Sequence, residues 1–435
     1  MKCRNQFLRF SLFAGFVATL AFSAASNELD SPPTPTNAIT LDALVADVFE
    51  RNPELSFYKA EIAAAKGERK TAGQFPNPEV SGQIGKKRVD DLSGAKLGDG
   101  TAWSVSVAQP FEFPGRLSLR KAIANRQIEL AELGLAQFRA TLAARTRTLG
   151  YGVLAAHEKA EAAREIADRF QTLRDVLVQR DTAGVTPLLD IRIIEAQAIT
   201  VNRRASQLEQ ELQAALLELN QLRGASLGAR LSIAKPATEL RPSPSVETLL
   251  AAARTNNFEL RIRQVELAQQ GFKVDLARND RWPAVTLSPY YSEEKANDAQ
   301  QIYGVGVSVP LPLWNRNKGN IETAKARQQQ AEASLSVSVR EVERQVIEQA
   351  IVYETRTKEM ARWRPEAQQQ FRDAAELADR HYRMGAVPLT TYLEMQKEYL
   401  EALDTLLATQ GEAIESRQQL ELLTGTDLNS LFSTP

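Results

Sequence analysis

Side chains that commonly carry out enzyme chemistry are scarce in this sequence. It contains two histidines, His157 and His381, and one cysteine, Cys3. Metal ligands occur in clusters, whereas these three residues lie far apart along the chain. No phosphate-cradling glycine loop, nucleophile elbow or histidine-centred constellation is found. The sequence therefore predicts no enzyme, no dedicated metal site and no bound cofactor. The formal net charge of -1 offers no basic face to nucleic acid.

The N-terminus has the pattern of a secretory signal peptide. Lys2, Arg4 and Arg9 precede the apolar run "SLFAGFVATLAFSAAS", which ends in small residues. We expect residues 1–26 to be the signal peptide, with a membrane anchor as the alternative, and residues 27–40 to be a Pro-rich leader. Cys3 falls inside the signal peptide, so the mature chain would have no disulfide and no cysteine to carry a lipid.

No later stretch provides the about 20 apolar residues that a transmembrane helix requires. An exported protein without such helices is either soluble or a β-barrel, because only helices and closed barrels satisfy their backbone polar groups in lipid. The elements of the chain decide between these two classes.

The chain is a tandem repeat. The stretch "QPFEFPGRLSLRKAIANRQIELAELGL" from Gln109 aligns without a gap with "VPLPLWNRNKGNIETAKARQQQAEASL" from Val309. Two more blocks align in the same order: "ALVADVFERNPEL" with "TLLAAARTNNFEL", and "AGVTPLL" with "MGAVPLT". Paired positions include Asn52 with Asn257, Pro78 with Pro283, Pro110 with Pro310 and Arg116 with Arg316. We predict repeats at residues 41–224 and 246–425, a linker at 225–245 and a tail at 426–435.

Each repeat begins with a helical stretch, residues 41–72 and 246–277, and continues into two segments with period two. In "AWSVSVAQPF", Trp103 and Val105 face one side and Ser104 faces the other. The polar stretches "RVDDLSGAKLGDG" and "SEEKANDAQQ" are predicted to be the loops of two β-hairpins. Pro110 and Pro310 are predicted to end the strands, because proline cannot donate a ladder hydrogen bond.

Very long helices follow the hairpins. They are predicted at residues 117–181 and 318–383, and Pro365 is expected to kink the second. In the first, the apolar residues Ile166, Phe170, Leu173 and Leu177 follow a 4-3-4 spacing, which is typical of a coiled-coil seam. Returning helices are predicted at 188–222 and 389–423, after turns that contain glycine and proline.

The fold class predicted from these elements is mainly α-helical with a β-barrel part. Strands of about ten residues cross a bilayer when tilted. Four strands cannot close, so neighbouring copies must complete the sheet. Two copies would give eight strands and a filled interior, whereas three would give twelve strands and a lumen. Pro110 and Pro310 mark the places where strands pass into helices of a second, α-helical barrel.

The order of these elements resembles the TolC-type outer membrane efflux family over about residues 38–430. Within that family, "FPNPEV", "QPFEFPGR" and "PLPLWNRNKGNI" resemble the branch that serves cobalt-zinc-cadmium resistance pumps. The resemblance implies a homotrimeric outer membrane channel whose helical tube extends into the periplasm. It also implies two protein partners, a periplasmic adaptor and a proton-driven inner-membrane pump of the resistance-nodulation-division class.

The resemblance also implies roles for residues at the helical turns. The adaptor would contact the tips at Gly184, Val185, Gly385 and Ala386.

Gate residues follow from the resemblance as well. Asp190 and Tyr382 match a gating aspartate and tyrosine, and Glu394 replaces a family aspartate. Thr391, where the second repeat should match Asp190, departs from the pattern. Repeated by three-fold symmetry, such carboxylates would form a ring that favours cations.

Three alternatives remain at this stage. The channel could export drugs or other organic compounds, or it could secrete proteins. In a different class, the chain could be a soluble periplasmic coiled-coil scaffold.

Overall fold

The computed structural model describes residues 38–181, 188–235, 241–364 and 366–431. The predicted signal peptide, most of the leader and the last four residues lie outside these ranges. Ten helices and one four-stranded sheet occur in the described residues. The helices are α1 (Leu41–Arg51), α2 (Glu54–Ala72), α3 (Arg116–Asp181), α4 (Leu188–Leu222), α5 (Val246–Asn256), α6 (Phe258–Asn279), α7 (Lys318–Ala361), α8 (Ala367–Arg383), α9 (Leu389–Thr424) and α10 (Leu428–Leu431).

The first helical stretch of each repeat is two helices rather than one. Asn52 separates α1 from α2, and Asn257 separates α5 from α6. The side-chain amide of Asn52 donates to the carbonyl of Leu222 at 2.9 Å, and that of Asn257 donates to the carbonyl of Leu423 at 2.8 Å. Each asparagine therefore ties the start of its repeat to the end of the returning helix.

A glycine follows each of these returning helices. Gly224 has φ +62 and Gly425 has φ +65, the left-handed conformation that ends many helices. A Cβ on Gly224 would lie 2.8 Å from the carbonyl oxygen of Arg51, and one on Gly425 would lie 2.3 Å from that of Asn256. Both glycines are required by their conformation and by the close approach of the first helix.

The long helices of the two repeats differ. Helix α3 is continuous over 66 residues, about 100 Å at 1.5 Å per residue. The predicted helix at 318–383 is instead two helices, α7 and α8, so a break replaces the expected kink. Pro365 itself lies outside the described residues. A proline disfavours helical geometry in the residue before it and removes an N–H, which accounts for a helix end on its N-terminal side.

The predicted 4-3-4 seam is buried. Ile166, Phe170, Leu173 and Leu177 of α3 belong to one hydrophobic cluster with residues of α4, α8 and α9. This cluster packs the two long helical hairpins of the chain against each other. It positions the ends of those hairpins, where the predicted gate residues lie.

The sheet is antiparallel, with the strand order β1-β2-β3-β4. Its strands are β1 (Glu79–Asp90), β2 (Lys96–Phe111), β3 (Val285–Lys295) and β4 (Ala299–Ser308). The stretches predicted as loops are mostly strand, and only residues 91–95 and 296–298 separate the paired strands. Ladder bonds join backbone groups, so polar residues continue the pairing beyond the apolar segment.

Neither proline ends its strand at the predicted residue. β2 continues through Pro110, which pairs with Thr286, and ends at Phe111. Strand β1 begins at Glu79 opposite Ala108, so Pro110 lies beyond the end of β1 and its missing N–H costs no bond to that strand. Pro310 lies two residues after the end of β4.

Candidate functional site

The structure brings two of the three predicted gate residues together. Asp190 lies in the first turn of α4, and Tyr382 lies in the last turn of α8. Burial raises the pKa of Tyr382, and the negative charge of Asp190 raises it further. Glu394 is exposed on α9, and its side chain makes no hydrogen bond or ion pair with the described part of the chain. Within one copy, Glu394 is therefore not joined to the other two.

A second tyrosine, which the sequence did not single out, supports Tyr382. The ring of Tyr392 on α9 stacks on that of Tyr382, with centroids 5.0 Å apart and planes 9° apart. Tyr392 is fully buried. Its hydroxyl lies beside Asp379, whose Oδ2 accepts a hydrogen bond from Nε of Arg383 at 2.8 Å. The buried ring of Tyr392 therefore holds the ring of Tyr382 in position.

The titration of Tyr392 gives a testable pH dependence. Burial first, and then the charge of Asp379, raise the pKa of Tyr392 above its ordinary value of 10.0. The folded state then holds the phenol proton more tightly than the unfolded state. The stabilisation is present below pH 10 and is lost as the pH rises above it, by up to about 1.4 kcal/mol per pH unit. We expect Tyr392→Phe to flatten the alkaline decline in stability, measured by helical circular dichroism in denaturant between pH 8 and pH 11.5.

The control for this experiment is Tyr303→Phe, which removes a hydroxyl from an exposed ring. Burial also raises the pKa of Tyr151, Tyr353 and Tyr399, so part of the decline remains in every variant. Equal alkaline slopes for the wild type and Tyr392→Phe would contradict the prediction.

Near this site, ion pairs connect the helical hairpin formed by α3 and α4 with the one formed by α8 and α9. On α3, Glu165 contacts Nη2 of Arg372 at 3.1 Å, and Arg169 contacts Oε1 of Glu376 at 3.6 Å. Arg372 and Glu376 both belong to α8. The charges of these two acids and two bases balance one another.

The described tip is the turn between α8 and α9. Gly385 has φ +73, and its N–H donates to the carbonyl of Tyr382 at 2.9 Å. The N–H of Ala386 donates to the carbonyl of His381 at 2.8 Å, which completes a Schellman motif. Both Gly385 and Ala386 are exposed. The other predicted tip residues, Gly184 and Val185, lie outside the described residues.

The two faces of the sheet differ in chemistry. The register places apolar side chains opposite one another on one face: Val80, Ile84, Trp103, Val105, Val107, Leu287, Tyr291, Tyr303, Val305 and Val307. Ile84 is 88% exposed and Tyr303 is 82% exposed in the single chain. The other face carries mostly small or polar residues, together with the larger Tyr290 and Ile302: Ser81, Gln83, Ser104, Ser106, Ser288, Ser292, Gly304, Gly306 and Ser308.

Where the sheet joins the helices, the two predicted arginines have different environments. The side chain of Arg116 is 14% exposed and pairs with Oδ1 of Asp280 at 2.9 Å. Arg316 is exposed and forms no hydrogen bond or ion pair with the described residues. Next to Arg116, Phe113 stacks on Trp282 with centroids 5.5 Å apart.

Sequence comparison identifies the family of this chain. Residues 44–225 and 249–426 match the family described as outer membrane efflux protein. The chain belongs to the outer membrane efflux protein family. The two matched segments correspond to the two copies of the internal repeat. Members of this family are channels rather than a class of enzyme, and this chain is an efflux channel of the TolC type.

Individual relatives of this efflux protein agree with the family assignment. The cobalt-zinc-cadmium resistance protein CzcC of Cupriavidus metallidurans is 23% identical over 291 residues, which cover 66% of this chain and 67% of CzcC. The solved structure of CusC has a TM-score of 0.68 at 16% identity, covering 92% of this chain and 96% of CusC. The Campylobacter jejuni outer membrane channel CmeC has a TM-score of 0.71 at 14% identity, covering 88% of this chain and 85% of CmeC. The efflux protein therefore has the TolC-like fold.

Two further observations concern membrane and metal. Among the described helices of this efflux protein, none is both long and apolar enough to cross a membrane. Within the same ranges, no group of three His, Cys, Asp or Glu side chains is placed to hold a metal ion.

Proposed function

We propose that this efflux protein is the outer membrane channel of a tripartite system that exports divalent heavy-metal cations. One observation carries the channel part of the proposal: the sheet has one exposed apolar face, one face of mostly small and polar residues, and two unpaired edges. A soluble sheet would bury its apolar face, whereas lipid would cover it here. Three copies would join their edges into a closed barrel of twelve strands.

The polar face of the sheet suits a passage for hydrated ions. Serines line much of it, the ring of Tyr290 occupies the space beside Gly304, and Oγ of Ser81 and Oγ of Ser106 hydrogen-bond to each other at 2.7 Å across the pair β1 and β2. A wide lumen with this lining would discriminate little between solutes. Selection of the cargo would then fall to the pump, and cation preference to the carboxylates of Asp190 and Glu394 at the periplasmic end.

The metal part of the proposal rests on the similarity to CzcC, whose name specifies resistance to cobalt, zinc and cadmium. The branch-like segments "FPNPEV" and "PLPLWNRNKGNI" support the same cargo. We propose that a periplasmic adaptor contacts the tips at Gly385 and Ala386, and also at Gly184 and Val185. An inner-membrane proton-driven pump would deliver the cations. An outer membrane channel for drugs or other organic compounds is the second candidate.

Growth of a deletion strain tests the cargo. We expect loss of the gene to increase sensitivity to one or more of zinc, cobalt, cadmium, nickel and copper, with little change toward drugs. Plasmid-borne wild type should restore growth, and the empty plasmid is the control. Sensitivity confined to drugs would overturn the metal assignment while leaving the channel in place.

Assembly is tested separately. The protein extracted in detergent should sediment with outer membranes and migrate slowly on an unheated denaturing gel until it is boiled. A chain that stays soluble and monomeric would overturn the channel proposal itself.

A further inference from the structure

The apolar face of the sheet ends before the strands do. Toward the hairpin turns, its last row of large apolar side chains includes Ile84 of β1 and Trp103 of β2, which are paired in the register. The ring of Trp103 contacts that of Tyr291 in β3, with centroids 5.4 Å apart. The next row on the same face is formed by Lys86, Thr101 and Lys295. The face therefore changes from apolar and aromatic to charged within two residues of each strand.

The length of the apolar band places this charged row at the level of lipid headgroups. Trp103 precedes Phe111, at the other end of the band, by eight residues of β2. At about 3.4 Å per residue and a tilt of about 40°, these residues span about 21 Å of the membrane normal. The apolar band of a membrane strand is about 25 Å tall and is flanked by aromatic residues. Lys86 and Thr101 lie about 5 Å further along the normal, within the polar headgroup layer.

The direction of the strands identifies the leaflet that this row meets. The turns at 91–95 and 296–298 close the hairpins at the charged end, whereas α3 and α7 continue from the opposite end. Channels of this family extend their helical part into the periplasm. The charged row therefore faces the outer leaflet. This step rests on the proposed channel function, because it requires the sheet to be inserted in the outer membrane.

One cation of this row lacks a counter-ion. Lys295 pairs with Oε1 of Glu293 at 2.8 Å. Lys86 is exposed, and its side chain forms no ion pair or hydrogen bond with the described residues. Because Lys86 and Lys295 both pair with Thr101, their backbones lie about 10 Å apart on either side of β2. The three side chains thus offer two ammonium groups and one hydroxyl to a single headgroup.

The charges closer to the turn compensate one another. Nε of Arg88 pairs with Oδ1 of Asp90 at 3.0 Å, and Lys96 forms an ion pair with Asp99. Neither pair leaves an excess of either sign. The attraction that this end of the sheet exerts on an anion is therefore centred on Lys86.

We propose that Lys86, Thr101 and Lys295 bind the phosphorylated sugar headgroup of lipopolysaccharide, the glycolipid that forms the outer leaflet of bacterial outer membranes. Lys86 is assigned the phosphate, because an ammonium binds phosphate as a point charge and no acid in the described part of the chain competes for it. The ammonium of Lys295 and the hydroxyl of Thr101 donate to neighbouring oxygens of the same headgroup, and Glu293 accepts from sugar hydroxyls. Each trimer carries three such sites, one in each copy.

Binding of lipopolysaccharide in detergent tests this site. Purified trimers are titrated with labelled lipopolysaccharide, and with the same preparation after enzymatic removal of its phosphates. We expect Lys86→Gln to weaken binding of the intact glycolipid about five-fold, the effect typical of one lysine at an anionic lipid surface. Lys86→Arg should retain the affinity. The dephosphorylated preparation should bind the wild type and Lys86→Gln equally.

The matched control is Lys87→Gln, which makes the same change one residue along β1. Lys87 lies on the opposite face of the sheet, where its ammonium pairs with Glu294 at 3.0 Å. Its replacement should leave the affinity for lipopolysaccharide unchanged, and unheated gels check that both variants form trimers. No loss in Lys86→Gln, or an equal loss in Lys87→Gln, would overturn the assignment.

A second ligand distinguishes the source of the phosphate. Phosphatidylglycerol in the same detergent supplies a phosphate without a phosphorylated sugar, and we expect it to bind more weakly than lipopolysaccharide, with little effect of Lys86→Gln. Binding of equal strength, lost to the same extent in Lys86→Gln, would mean that any anionic lipid fills the site. That result would refute lipopolysaccharide as the ligand.

Photocrosslinking in cells gives a reading that does not depend on affinity. A photoreactive phenylalanine analogue introduced at position 86 should yield covalent adducts with lipopolysaccharide, whereas the same analogue at position 87 should yield none. Adducts that are absent at position 86, or as abundant at position 87, would contradict the proposed site.

These results can be told apart from a failure of the proposed function. If trimers form and confer metal resistance, but bind lipopolysaccharide no better than its dephosphorylated form, the headgroup site alone is wrong. If the wild type forms no trimers, the channel proposal is wrong as well.

Discussion

Replacing Gly385 with aspartate is expected to reduce metal tolerance to that of the deletion strain while trimers still assemble. Gly385 is exposed at the tip between α8 and α9, and a Cβ there would meet no heavy atom within 4 Å. The left-handed conformation, φ +73, costs a non-glycine residue about 1 kcal/mol, and aspartate tolerates it better than most. Folding should therefore survive, but the new charge would be repeated in every copy at the surface proposed to meet the adaptor.

Two variants control for shape and for folding. Gly385→Asn has nearly the same size and the same tolerance of positive φ, but no charge, and should retain most of the metal tolerance. Gly425→Asp makes the same change where a Cβ would lie 2.3 Å from the carbonyl oxygen of Asn256, and it should lose the folded protein. Growth on zinc, trimers on an unheated gel and recovery of the adaptor after crosslinking are the measurements. Full resistance in Gly385→Asp would refute the placement of the tip contact.

Repetition in the sequence predicted the architecture better than it predicted the helix ends. The sequence shows the gapless pairing of Asn52 with Asn257, but its apolar pattern predicts that each asparagine lies inside one uninterrupted helical stretch, 41–72 or 246–277. At each break the asparagine caps the next helix through Oδ1, which accepts from the N–H of Glu54 or of Leu260, while its amide donates to a carbonyl at the far end of the repeat, at Leu222 or Leu423. A local pattern of apolar residues carries no information about such a bond.

The strands are longer than the sequence predicts, for a different reason. Alternation of apolar and polar residues identifies the part of a strand that has one apolar face, and it disappears where both faces are polar. Lys87 of β1 and Glu294 of β3 lie in that part and form an ion pair at 3.0 Å across the intervening strand β2. The real turn at residues 91–95 is fixed by Asp91, whose Oδ1 accepts from the N–H groups of Ser93 and Ala95 at 2.8 Å.

The gate residues are predicted from the family resemblance, and their own residue chemistry would not have identified them. Asp190 and Tyr382 are distant in sequence, and the folded chain brings them close enough for the charge of Asp190 to act on the hydroxyl of Tyr382. Tyr392 was missed because an apolar ring at helical spacing is typical of any core position. Its stacking on Tyr382 depends on how α8 and α9 are turned, which spacing alone does not determine.

The strongest test of the sheet compares two adjacent residues of β2. Val105 lies on the apolar face, opposite Gly82 of β1 and Tyr291 of β3, whereas Ser104 points to the small polar face. An arginine on the lipid face near the middle of a membrane strand costs about 2–4 kcal/mol, and a trimer would incur this cost three times. We expect Val105→Arg to abolish outer membrane trimers and metal resistance. Ser104→Arg, with the same new side chain one residue away, should assemble and insert.

This pair of variants also separates a channel from a soluble scaffold. Val105 is 42% exposed in the single chain, and on a soluble protein an arginine at an exposed position is usually tolerated within about 0.5 kcal/mol. In that case Val105→Arg would leave the protein folded and soluble, and Ser104→Arg would behave alike. Membrane fractionation and unheated gels of both variants distinguish the cases. Loss of trimers in Ser104→Arg but not in Val105→Arg would mean that the sheet faces lipid with the opposite side. Because the two residues share a strand and a backbone, only the medium that each face meets can make their effects differ.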